Sequence, residues 1–154
     1  MNRLGSLSRR LRRLARRLVL SRYSTSMTVT NSPECFAPNP WLRFGADDRI
    51  TLMIDRSEMG QGAIGGLVLL AAEELRVRPD RIRTEFAPAA SEYTNPLLGS
   101  QMTGGSTSVR GAWEPLRLAA AQARQALVET AAARWGVPAE QCRSDDGVVI
   151  HQDS

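Results

Sequence analysis

The chain has 154 residues, 42% hydrophobic and 23% charged, enough for one domain with a modest core. Its formal charge of +4 is unevenly placed: 8 of the 20 basic residues precede residue 27 with no acidic residue among them, which leaves 12 basic against 16 acidic groups, a net of −4, in the remainder. Such a body offers no basic surface for nucleic acid, and no apolar run approaches the roughly 18–20 residues that span a bilayer, so the expectation is a soluble or peripheral protein.

Every basic residue is arginine, read as codon usage in a GC-rich genome rather than as chemistry. Along residues 1–26, Leu4, Leu7, Leu11, Leu14 and Leu18 recur at helical intervals among arginines, the pattern of a basic amphipathic helix. It suits an anionic membrane surface or a partner, or a degenerate export signal in which Ser8-Arg9-Arg10 is similar to the twin-arginine type. Disorder, or an unnatural extension ahead of Met27, is preferred over targeting. Residues 27–40 read as a linker rich in Ser, Thr, Pro and Asn, and the globular part is expected over 41–154.

Arg49–Asp55 alternates as a strand with Ile50, Leu52 and Ile54 on one face, and Trp41–Phe44 is expected to pair with it as a hairpin. Ala63–Leu75 is apolar almost all round, which predicts a buried helix, broken by Pro79 and Asp80. Ile82–Phe86 alternates again, completing a strand–helix–strand unit of βαβ type. A long loop from Ala87 to Gly105 follows, of the kind usually functional or disordered. The next helical face carries Val109, Trp113, Leu116, Ala120, Ala123, Leu127 and Ala131 and stops at Gly136 with Pro138 beyond; Pro115 is a first-turn residue or a kink. Asp145-Asp146-Gly147 is a turn and Val148–Ile150 a strand. The fold class is α+β, a small mixed sheet with two main helices packed on it.

Two glycine-containing loops each lead into a helix: Glu58-Met59-Gly60-Gln61-Gly62 and Thr103-Gly104-Gly105-Ser106-Thr107-Ser108. Glycine lets the backbone approach a ligand, a helix N-terminus presents unpaired N–H groups, and the Gln61 amide both donates and accepts. Alone, either is an ordinary turn or N-cap; together they suggest a nucleotide-like or phosphorylated ligand, and neither fits the P-loop or GxGxxG pattern. Cys35 and Cys142 match no zinc spacing and are read as free thiols, one in a loop and one half-buried, with a disulfide left open. His151 is the only histidine, so a histidine triad or multi-histidine metal site within the chain is excluded.

Ser57-Glu58-Met59-Gly60-Gln61-Gly62 resembles the glycine–glutamine–glycine loop of the xanthine dehydrogenase and aldehyde oxidase superfamily of molybdenum hydroxylases. Met102 to Arg110 resembles its second cofactor loop, in the variant of large subunits of the isoquinoline oxidoreductase type. Phe36–Arg43, Ala72–Leu75, Phe86–Ala89 and Trp113–Arg117 extend the likeness in order and spacing, from about Phe36 to His151. The resemblance implies a molybdopterin dinucleotide, in its cytosine form, with Gln61 near the metal. Backbone N–H groups around Gly60, Gly62, Gly104, Gly105, Ser106, Thr107 and Ser108 would hold pterin and pyrophosphate, making the chain part of a larger molybdopterin-binding domain. Members of the family hydroxylate an N-heterocycle or oxidise an aldehyde with water as oxygen source, using a glutamate base, and pass electrons to a partner subunit carrying 2Fe–2S clusters.

Family large subunits are several times longer, and the glutamate base comes from a region near their C-terminus. None of Glu58, Glu73, Glu74, Glu85, Glu92 or Glu114 corresponds to it, so no catalytic residue and no metal ligand is expected from this chain. Glu58 and Asp55 are expected to be structural or solvated carboxylates, and Trp113, Trp135 and Phe86 core residues. The expectation is a fragment or split subunit, inactive alone, whose partners are the remainder of the large subunit or a companion chain and the iron–sulfur subunit. Membrane contact would come through the leader, and the location would be the bacterial cytoplasm or the periplasmic side of the inner membrane. A non-catalytic module for a phosphorylated small molecule and a truncated gene remnant remain the alternatives.

Overall fold

A computed structural model of the chain describes residues 35–152; the leader and the first part of the linker lie outside the described residues. Strands β1 (Cys35–Asn39), β2 (Leu42–Gly45) and β3 (Ile50–Ile54) form an antiparallel meander. Helix α1 (Ala63–Leu75) then crosses to β4 (Ile82–Phe86), which pairs with β3 in parallel, Ile50 opposite Ile82 and Ile54 opposite Phe86. The sheet order is β1-β2-β3-β4. Helix α2 (Ser108–Trp135) packs beside α1, and the hairpin of β5 (Cys142–Asp145) and β6 (Val148–His151) closes the chain. The α+β expectation and its βαβ unit are as observed.

The linker expectation ends too late. Residues 35–39 form β1, because Phe36 and Ala37 are buried and Asn39 turns the chain, its Oδ1 accepting the N–H groups of Trp41 and Leu42 while Nδ2 donates to the Ala119 carbonyl. Cys35 therefore sits half-buried in a strand rather than in a loop, and both cysteines are free thiols. Burial raises the thiol pKa at Cys35, with Arg43 opposing, and raises it at Cys142, so both remain protonated.

Ile50, Leu52 and Ile54 face the core as their alternation predicts, with Leu42, Leu67, Ala71, Ala120 and Ala123. Helix α1 departs from expectation: only one face is buried, and Leu69 is exposed. The buried stripe of α2 runs through Ala112, Leu116, Ala119 and Ala123, so Trp113, about 100° further round the helix, faces outward, its ring under the Arg117 guanidinium at 4.9 Å. Phe86 is 65% exposed because β4 is the outer strand of the sheet. Both were expected in the core; of the three aromatics only Trp135, packed near Val128 and Cys142, is partly enclosed. Pro115 lies inside α2 rather than in its first turn.

The two helices end alike. Arg76 and Gly136 take left-handed caps, and Val77 and Val137 return N–H groups to the Ala72 and Ala132 carbonyls at 3.1 Å, which closes each last turn. Helix α1 thus stops before Pro79. Asp146 and Gly147, both with positive φ, make the tight turn between β5 and β6, the mirror-image geometry that two-residue hairpins prefer. β5 is short and polar at Arg143 and Asp145, and no hydrophobic pattern announces it.

Candidate functional site

β3 and β4 point the same way, so the loop after Ile54 and the loop after Phe86 emerge at one end of the sheet. In open parallel sheets this carboxyl end is where ligands bind. The first loop leads into α1 and the second approaches α2, and the Ser57 N–H donates to Thr103 Oγ1 at 2.8 Å, joining them. A Cβ added at Gly66 would lie 2.9 Å from a Val109 methyl, so the first turns of the helices run almost in contact. The structure therefore brings the loop of Gly60, Gln61 and Gly62 beside the loop of Gly104, Gly105, Ser106, Thr107 and Ser108.

The first loop is folded around its own carboxylate. Glu58 Oε1 accepts the N–H groups of Gly60 at 2.9 Å and Gly62 at 3.0 Å, and Oε2 accepts that of Ile64 at 3.1 Å. Gly60 and Gly62 have φ of 87° and 74°, which aims successive N–H groups inward. The Ile64 and Gly62 N–H groups chiefly hold the Glu58 carboxyl below the usual carboxylate range. Gln61 closes the same loop: its Nε2 donates to the Ser57 carbonyl at 2.8 Å and its Oε1 accepts the Met59 N–H at 2.6 Å. Each of these bonds uses one of the amide's two donors or two lone pairs.

The second loop has two successive left-handed residues, Gly105 and Ser106. Thr107 is buried and occupied internally: its hydroxyl accepts from Asn95 Nδ2 at 2.7 Å and donates to the Gly104 carbonyl at 2.7 Å. Its hydroxyl thus shapes the loop. Gly104 is different. It has no positive φ, and a Cβ added there would meet nothing within 4 Å, so no internal turn or contact requires glycine. Gly65, in the first turn of α1, is the same. Glycine inside a helix costs about 1 kcal/mol against alanine, a cost that applies to Gly65; at both positions the bare backbone allows close approach from outside. No side chain caps α2 and no acidic residue stands in its first turn, which leaves its N-terminal field uncompensated.

Asn95 organises the loop between β4 and α2. It is fully buried; its backbone N–H donates to Ser100, its carbonyl accepts from Leu98 and Gly99, and its Oδ1 accepts from Leu97. The Asn95-Pro96 pair is by itself a turn signal, but nothing local marks its bond to Thr107. A Cβ on Gly111 would lie 2.5 Å from Asn95 Oδ1. Gly111→Ala should therefore lose about 1 kcal/mol in chemical denaturation, overpacking exceeding the helix-propensity gain. A stabilised variant would show that Asn95 can yield.

Beneath the loops, Arg56 is 2% exposed, its Nη1 donating to Asp55 Oδ2 at 2.7 Å and to the Asp55 carbonyl at 3.1 Å. Both residues line a cavity of about 360 Å³ with Trp41, Met53 and Pro115. Burial raises the Asp55 pKa against the opposing Arg56 charge. The structural reading of Asp55 agrees with this pairing.

The sequence profile of the molybdopterin cofactor-binding domain matches residues 16–154. The chain is 43% identical to the beta chain of isoquinoline 1-oxidoreductase of Brevundimonas diminuta over 127 residues, 81% of this chain and 16% of that protein. It is 32% identical to the membrane-bound aldehyde dehydrogenase (pyrroloquinoline-quinone) of Gluconacetobacter polyoxogenes, over 74% of this chain and 14% of the relative. It is 36% identical to a nicotinate dehydrogenase subunit of Pseudomonas putida, over 60% of this chain and 7% of the relative. The chain thus spans between 7% and 16% of the length of these relatives.

Proposed function

Since this chain belongs to the family of molybdopterin cofactor-binding domains, we propose that it supplies two of the cofactor-holding loops of a molybdenum hydroxylase and works with a companion chain or a further part of the same large subunit. The observation that carries this reading is the joining of the two loops at the carboxyl end of the β3–β4 pair, through Ser57 and Thr103.

The donors present fit such a group. The uncapped start of α2 and the open face of Gly104 suit a pyrophosphate, with Gly105, Ser106 and Ser108 beside it. Gln61 keeps a donor and a lone pair for the polar edge of a pterin. When bound, the cofactor would supply two-electron oxidation of a carbon centre. This chain's own residues bind and orient: the second loop holds the anionic end, and Gln61 stands on a fixed turn. The cytosine form of the dinucleotide, an N-heterocycle or aldehyde as substrate, and a partner with 2Fe–2S clusters belong to this proposal, supported by the oxidoreductases the chain is similar to.

Co-expression with a companion carrying the remainder of a large subunit tests it. Molybdenum should co-purify near one equivalent, with a cytidine nucleotide released on denaturation, and the chain alone should retain neither. Pyrroloquinoline quinone in place of the metal, or a molybdenum-loaded, active 154-residue chain, would overturn it.

A further inference from the structure

The most complete polar arrangement on the loop surface is one in which no ligand is needed. The Glu58 carboxylate takes the N–H groups of Gly60, Gly62 and Ile64, the donors that would otherwise make the first loop an anion nest. We propose that Glu58 is a positioning residue, a resident anion that fills this nest and sets Gln61 on a rigid turn, so that the first loop presents an oriented amide and leaves phosphate to the second loop.

Three features argue for it. The acceptor geometry uses both carboxylate oxygens on three N–H groups within seven residues, which a glutamate pointing into solvent would not adopt. The two left-handed glycines bring these groups together, and at neither would a Cβ meet a neighbour within 4 Å. Gln61, within that ring, is pinned at both ends of its amide to Ser57 and Met59. Charge-assisted bonds to one carboxylate thus hold the loop together with the two Gln61 bonds and the Ser57–Thr103 bond. The depressed carboxyl pKa agrees in sign: the contribution is present above the ordinary carboxylate range and is lost as pH falls through the lowered value.

The role toward a cofactor rests on the function proposed above, but the test does not require one. In the ¹⁵N-labelled full chain, the Gly60, Gly62 and Ile64 amides should titrate together, with one midpoint below the ordinary glutamate value. They should exchange roughly tenfold or more slowly than in Glu58→Ala, with Glu58→Gln between because it keeps one neutral acceptor oxygen. Inorganic pyrophosphate should leave these three amides in place in the wild type and shift them in Glu58→Ala. Amides of β3 report whether a variant is folded; if Glu58→Ala is not, the wild-type titration and Glu58→Gln decide. Wild-type first-loop amides that move with pyrophosphate, or that titrate separately, would overturn the proposal. Failure of molybdenum loading in the assembled enzyme, with these amides behaving as described, would remove the cofactor reading and leave the role of Glu58 intact.

Discussion

Arg56→Met should lower stability by about 3–5 kcal/mol at neutral pH, the cost of leaving a buried charge without its partner. The side chains of Arg56 and Asp55 are 1% and 8% exposed, and their contact is 2.7 Å. With Arg56 gone, the remaining side-chain bond to Asp55 comes from Trp41. The pH dependence follows from the direction of the Asp55 shift. Burial already raises its carboxyl pKa from the ordinary value, so the ionised form weighs against the fold; that contribution is smallest below the ordinary carboxylate pKa and grows as pH rises through the raised one. Arg56→Met removes the charge that limits the rise, so its penalty should be fullest at neutral pH and shrink in acid. Denaturant titrations at both pH values measure this. The double variant Asp55→Asn with Arg56→Met should recover most of the loss, since a neutral pair leaves no orphan charge. A neutral-pH loss under about 1 kcal/mol would mean that the pair is solvated.

The second large effect is expected at Asn95. Asn95→Ala removes the donor to Thr107 and the acceptor for Leu97 inside a fully buried site, a loss of about 2–3 kcal/mol. Its functional consequence lies in the second loop, because Thr107 then loses the bond that anchors the turn before α2. Hydrogen exchange should quicken across residues 103–108 and remain slow in β3. Equal quickening in both would show that Asn95 supports the fold at large and does not hold this loop in particular. Asn95 also explains Gly111: the helix needs a bare backbone where the amide lies against it.

The elements that can be read along the chain are those specified by neighbouring residues. Ile50, Leu52 and Ile54 announce a half-buried strand, Gly136 and Pro138 end α2, and Asp146-Gly147 makes a turn. The two glycine loops are legible for the same reason, as a resemblance of contiguous residues at fixed spacing. Where apolar character is the sole guide, side assignment fails. Phe86 and Trp113 are as apolar as Leu52, yet one lies on an outer strand and the other beside the buried stripe of its helix. β1 and β5 are hidden because their partners, and not their own composition, make them strands.

The amino-acid sequence by itself determined the family, the βαβ unit and which residues form the glycine–glutamine–glycine and glycine–serine–threonine turns. Only the tertiary structure decided what those residues do with their hydrogen bonds. Ser57 meets Thr103 across 46 positions and Asn95 meets Thr107 inside a turn no periodicity describes, while Glu58 fills a nest built by the residues after it. Local propensity depends on adjacent side chains, whereas a donor's partner depends on which acceptor the packed chain brings within about 3 Å. That distance is set by the parallel pairing of β3 and β4 and the near contact of the two helix starts, and it decides which loop groups are occupied internally and which stay open.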